Sequence, residues 1–183
     1  MKSWSARFNT YLLGLLLAAG AGCVTTDSDQ PKKDDKSKAE DKKNQGSTVM
    51  LFLEAPSLTD KSKTVPVYRE SPVSVTIEKE PFLDEGFLAA ASVEEGMGGF
   101  YIKLKFGRHG TWVLENMSAS HVGRRVGVFS QFPVDRWLAA PVLTHRLSDG
   151  VFAFTPDASR EEADRIVRGL NNLIAKLKKK DVF

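Results

Sequence analysis

One cysteine stands among 183 residues, at position 23. A single thiol excludes an internal disulfide framework and a cysteine-rich zinc site. Histidine is nearly as scarce, with only His109, His121 and His145. No two of them have the i, i+4 spacing of a helical metal site, so no metal and no cofactor is expected, and each reads as an exposed or capping residue. An excess of one charge is lacking too: 26 basic residues face 23 acids, for a net charge of +3. That is too little to imply nucleic-acid binding without a clustered basic face. No apolar run reaches the roughly 20 residues that a membrane-spanning helix needs, so the mature chain is not expected to cross a bilayer by a helix. Catalytic signatures are missing as well. Ser118 and Ser120 lie near His121 without a Gly-x-Ser-x-Gly elbow. Gly96-Met97-Gly98-Gly99 precedes a strand pattern instead of a helix, so it offers no helix N-terminus to a phosphate and reads as a hairpin turn. Glu94, Glu95, Asp84 and Glu85 read as solvated acids beside turns. An enzyme is therefore the weakest of the function classes considered.

What the chain does carry begins at its N-terminus. Lys2 and Arg7 precede an apolar stretch from Tyr11 to Ala19, followed by the small residues Gly20, Ala21 and Gly22. Basic start, apolar core and small residues are the layout of a secretory signal over residues 1–22. Cys23 follows directly, and the sequence around it resembles the lipobox of bacterial lipoproteins, with Gly20 where that family prefers a larger apolar residue. The resemblance implies thioether lipidation of Cys23, cleavage before it, and acylation of the new N-terminus by palmitate-type chains. The competing reading is ordinary secretion with cleavage near Ala19-Gly20-Ala21. Several acyl chains anchor a protein stably where one is marginal. The implied address is the cell envelope, facing the periplasm. Val24 replaces the Asp associated with inner-membrane retention, which leans toward the outer membrane.

The lipidated cysteine would open a linker over residues 23–48. Six lysines and six acids alternate between residues 24 and 48, with almost nothing apolar to bury. Such a segment cannot offset the entropy of ordering, and it is expected to be a flexible polyampholyte. The interleaved acids argue against a polybasic lipid-binding patch within it. As a coil it would hold the rest of the chain about 25–30 Å from its anchor on average.

Residues 49–178 are long enough for one self-sufficient core. Thr48–Glu54, Val65–Arg69 and Val73–Ile77 read as strands, with Pro66 and Pro72 marking edges or strand starts. Phe87–Val93 is either extended or a short helix. Phe100–Phe106 alternates Phe100, Ile102, Leu104 and Phe106 with Lys103 and Lys105, a half-buried strand. Val113, Leu114, Met117 and His121 fall at helical spacing over Gly110–Val122, and Gly123 is a natural stop. Strands are expected near Arg125–Phe129, Trp137–Thr144 and Gly150–Phe154. Ser159-Arg160-Glu161-Glu162 is a capping box opening a last helix, whose apolar stripe runs Ala163, Ile166, Val167, Leu170, Ile174 and Leu177. This order predicts an α+β two-layer sandwich, a mainly antiparallel sheet with two helices on one face.

Over residues 99–171 this series resembles the head of the first large periplasmic domain of SecD, a subunit of the bacterial protein-export machinery. The resemblance rests on the strand Phe100–Phe106, the helix carrying Leu114, Met117 and Ser118, the turn His121-Val122-Gly123-Arg124-Arg125, the run Ala139-Ala140-Pro141-Val142-Leu143, and the capped final helix. The family's tight Asp-Gly hairpin is replaced by the longer segment Ser130–Arg136, and SecD's transmembrane helices have no counterpart. The resemblance implies the fold and a capacity to touch extended polypeptide, with a link to protein export. It does not imply a motor.

Five residues are candidates for a partner site. Arg124 and Arg125 would either cap carbonyls and cover apolar surface, or grip a carboxylate or phosphate. Phe132, Pro133 and Trp137 fall in the lengthened hairpin, where exposed aromatics would mark a partner surface. Trp137 could equally fill the core. The leading expectation is a non-catalytic, membrane-anchored envelope lipoprotein that binds a polypeptide or an envelope protein. The rival is an assembly scaffold acting through homo-oligomers.

Overall fold

A computed structural model of the chain describes residues 46–131 and 134–180. The expected signal peptide, Cys23 and nearly all of the linker lie outside them, as do Phe132 and Pro133. Among the described residues no helix is long and apolar enough to cross a membrane.

The first strand is apolar almost throughout because both of its faces are covered. In β1 (Thr48–Leu53), Val49, Leu51 and Leu53 enter the main core, while Met50 and Phe52 enter a smaller one on the opposite side. It pairs antiparallel with β7 (Val126–Gln131), from Thr48 opposite Gln131 to Leu53 opposite Val126. The short β4 (Leu83–Asp84) flanks β1, and β8 (Asp135–Ala139) flanks β7, giving a sheet of order β4-β1-β7-β8. A hairpin of β2 (Ser62–Val67) and β3 (Val73–Glu78) lays Val65, Val67, Val75 and Ile77 over one face of that sheet. Pro72 immediately precedes β3, and Pro66 sits in β2, where half the ladder is open and a missing N–H is tolerated.

A second sheet has the order β5-β6-β9, with β5 (Leu88–Gly96), β6 (Gly99–Phe106) and β9 (Val151–Phe154) all antiparallel. The β5–β6 turn needs left-handed backbone at two positions, and glycines occupy both: Gly98 at φ 92° and Gly99 at φ 136°. The stretch Phe87–Val93, which reads as either extended or helical, is strand from Leu88 onward. A one-turn 3-10 helix over Glu85–Phe87, capped by the Asp84 carboxylate, leads directly into β5.

Two helices supply the other side of the main core. The first, α1 (Arg108–Ser120), buries Gly110, Leu114 and Ser118. A Cβ at Gly110 would stand 2.9 Å from the Phe87 Cβ and 3.0 Å from its carbonyl oxygen, so only glycine lets the helix sit this close. The helix ends at His121, and Gly123 turns the chain at φ 86°. The second, α2 (Arg160–Lys180), buries Ala163, Ile166, Val167, Leu170 and Ile174. The Ser159 hydroxyl accepts the Glu162 N–H at 3.2 Å, the N-terminal half of the capping box.

The result is an α+β sandwich with mainly antiparallel sheets, as the sequence predicts, and the hairpin adds the smaller second core. One boundary differs. The strand expected to run from Trp137 to Thr144 stops at Ala139. Pro141 has no N–H to continue the ladder. The chain beyond it instead pairs with the segment leading into β7: the Val126 N–H reaches the Pro141 carbonyl, and the Leu143 N–H the Arg124 carbonyl, each at 2.8 Å.

Candidate polypeptide-binding edge

A β-sheet can take on an added strand only where an edge is unpaired, so the edges decide where an extended segment could bind. The outer edge of β5 is closed by α2. The Asn171 side chain accepts the Ala91 N–H at 3.0 Å and donates back to the Ala91 carbonyl at 2.8 Å, imitating a neighbouring strand. The Lys178 ammonium donates to the Ala89 carbonyl beside it. On β8 the Leu138 carbonyl is taken by the Asp157 N–H at 2.7 Å. β4 has only two residues, and β2 exposes Lys63 and Pro66, two residue types that discourage pairing.

The outer edge of β9 is different. The Phe106 N–H bonds the Gly150 carbonyl at 2.9 Å, which sets the antiparallel alternation with β6. Phe152 and Phe154 therefore turn their backbone groups toward β6, and Val151 and Ala153 turn theirs outward. The Val151 N–H is taken by the Asp149 carboxylate at 3.0 Å. Among the described residues nothing bonds the outward groups of the exposed Ala153.

Beside this edge runs an open groove of about 280 Å³. Its far wall is Pro141, Val142, Leu143 and His145, and Leu147 and Phe152 contribute apolar surface. Val142 is 44% exposed. The wall is held from behind: the Leu147 N–H bonds the buried Ser118 hydroxyl at 2.9 Å, and Arg146 pairs with Glu115, both of these partners on α1. A fixed groove of mixed polar and apolar lining, with Thr144, His145 and Asp149 among the polar residues, along an unpaired backbone edge can hold an extended chain by main-chain hydrogen bonds, with side chains entering the groove.

The residues singled out from the sequence do not form this edge. Trp137 is half-buried in the second core. Its ring lies 5.2 Å from that of Phe52 and 5.0 Å from that of Phe129, and a Cβ at Gly127 would approach it to 3.0 Å. The Lys63 ammonium lies over both rings, 5.7 Å from Trp137 and 5.4 Å from Phe52. Of the two roles open to Trp137, it fills the one of packing. Arg125 exchanges backbone bonds with Glu54: its N–H donates to the Glu54 carboxylate at 2.7 Å, and its carbonyl accepts the Glu54 N–H. Its guanidinium donates to the Ala140 carbonyl at 3.3 Å. Arg124 is engaged through its backbone, with His121 and Leu143. The histidines are dispersed: His109 stacks between Phe87 and Trp112, His121 bonds the Met117 carbonyl, and His145 bonds Thr144. Among the described residues no three His, Cys, Asp or Glu side chains are grouped as metal ligands would be.

Two polar clusters had no signal in the sequence. Arg69 and Arg136 meet Asp157 and Glu162, with an Arg136–Glu162 contact of 2.7 Å and an Arg69 N–H bond to Asp157 of 2.9 Å. This cluster ties the hairpin and β8 to the start of α2, where acids also oppose the helix dipole. Tyr68, preceding Arg69, takes the left-handed conformation at φ 70° to make the connection. On the open face of the second sheet, the Tyr101 hydroxyl donates to Glu94 at 2.8 Å and, with Lys103, holds that carboxyl below its usual range; the same bond pushes the Tyr101 phenol up.

No family model matches the chain, and no curated protein does. Solved structures do. A SecDF chain, described as a membrane component that enhances protein export, aligns over 80% of this chain and 71% of its own, at 16% identity and a TM-score of 0.55. SecDF in a super-membrane-facing form aligns over 78% of this chain at 17% identity and a TM-score of 0.53. This chain spans about one fifth (21%) of that second protein. At such identities the likeness shows a shared fold with part of SecDF and nothing more.

Proposed function

We propose that this chain is an envelope lipoprotein, held by lipids on Cys23, whose SecD-like domain receives an extended polypeptide by strand addition to β9. The observation that carries the reading is the unpaired Ala153 backbone beside the groove. The Cys23 environment and the charge-balanced linker supply the anchor and the reach. The likeness to a component that enhances protein export suggests a polypeptide in transit through the envelope as partner. The domain acts by surface contact and is not an enzyme in this reading. Val24 favours the outer membrane.

The discriminating variant is Ala153→Pro. It removes only an outward N–H, which an edge strand tolerates, and puts a ring where a partner carbonyl would dock. Pulldown from envelope extracts should enrich polypeptides with the native chain and lose them with Ala153→Pro at unchanged thermal stability. Equal capture by both removes the β9 reading. Cys23→Ser should move the protein from the membrane fraction to the soluble periplasmic fraction; unchanged fractionation and processing would remove the lipid anchor. An exposed edge can also accept the same edge of a second copy. A dimer that Ala153→Pro dissociates would favour the scaffold reading.

A further inference from the structure

From Arg165 to Lys180 the last helix carries six cations and no acid. Their placement is not random. At about 100° per residue, Arg165, Arg168, Lys176 and Lys179 fall within about 80° of one another, on the side opposite Ile166, Leu170 and Ile174. All four are exposed. Lysines at the end of the helix favourably oppose its dipole, which accounts for Lys178, Lys179 and Lys180. It does not account for Arg165 and Arg168, about three to four turns from that end, which make no ion pair among the described residues.

The linker joins the domain beside this row. Ser47 is fully buried against α2, and a Cβ on Gly169 would stand 2.8 Å from the Ser47 backbone nitrogen. Gly169 lies between the cationic row and the apolar face, so the described chain begins, at Gly46 and Ser47, on the flank of the basic surface. The linker itself is charge-balanced. The cationic row thus offers attraction toward an anionic surface, beside the point where the described chain begins.

We infer that the outer face of α2 docks on anionic phospholipid headgroups of the membrane that holds the chain. This takes from the proposed function only that the domain is kept near a bilayer. The four cations supply the attraction at about fivefold each, equivalent to about 1 kcal/mol, and the tether adds to it by keeping the bilayer near. Docking by this helix fixes which side of the domain meets the membrane.

The test uses the chain from Gly46 onward, which contains every residue of both cores and no Cys23, so its outcome is independent of lipidation. It should float with vesicles of phosphatidylcholine containing about one third phosphatidylglycerol, stay behind with phosphatidylcholine alone, and be released by molar salt. Arg165→Gln and Arg168→Gln should each lower partitioning about fivefold. The combined variant Arg165→Glu, Arg168→Glu, Lys176→Glu, Lys179→Glu should abolish it with unchanged circular dichroism. Lys61→Gln with Lys63→Gln, which remove the same charge elsewhere, should have little effect. Binding to neither vesicle, equal binding to both, an equal loss with the Lys61 and Lys63 pair, or equally tight binding to duplex DNA overturns the inference.

Discussion

At Glu85 the carboxyl is half-buried in the short turn before β5, and its Oε2 has no hydrogen-bond partner among the described residues. Loss of water is the main effect that lifts its pKa above the ordinary 4.5, and the neighbouring Asp84 charge adds to the rise, against the smaller opposing pull of backbone hydrogen bonds from Glu85 and Val49. A carboxyl raised on folding favours the folded state while protonated, and that contribution is lost as pH climbs through the raised value. At neutral pH the ionised group therefore works against folding. Glu85→Gln should raise the melting temperature at pH 7, and the difference from the native chain should vanish as the pH falls below about 4.5. A variant that is less stable at pH 7 would mean that the carboxylate has a favourable partner. Tyr68 illustrates the opposite kind of exception. Its left-handed backbone is unfavourable for a side chain of its size, and it is offset by the ring's place in the second core and by the Ala140 N–H bond to its hydroxyl.

Among the elements, α2 and the second sheet depend on one another through a single amide. Replacing Asn171 by Leu keeps the bulk but leaves the Ala91 N–H and carbonyl unpaired at a partly buried edge. About 2 kcal/mol should be lost, read as a lower denaturation midpoint in urea. The elements themselves were largely legible in the sequence. The period of two in Phe100–Phe106 and the stripe with its capping box in α2 are local patterns, and local patterns are written in consecutive residues. The Asn171–Ala91 pair and the Arg69, Arg136, Asp157, Glu162 cluster were not legible. Their members lie up to 93 positions apart, as Arg69 and Glu162 do, and only the packed fold brings them together. The β9 edge escaped for a related reason. An unpaired strand is defined by what does not lie beside it, and no stretch of residues encodes an absence. Trp137 could be read either way, as exposed in a long hairpin or as core, because the space that the missing side chain at Gly127 leaves for its indole is set by the fold.

For the whole molecule, the two cores share β1 and β7. Met50, Phe52 and Phe129 face the hairpin while Val49, Leu51 and Val128 face the helices. Neither core can be lost without exposing the back of the other's sheet, so the domain should unfold as one unit. Tryptophan fluorescence, which includes Trp137 in the second core, and far-ultraviolet circular dichroism should give coincident urea transitions. Separated midpoints would mean that the hairpin peels away first.

The Asn171 seal on one side of the three-stranded sheet has a consequence for valency. A sheet with both flanks open could be lengthened at either end, one chain after another, into a filament. With Ala91 sealed by Asn171, growth of that sheet is confined to the β9 side. Copies of this chain therefore cannot join β9 edge to β5 edge in an open series, and an association of copies through β9 alone closes as a pair.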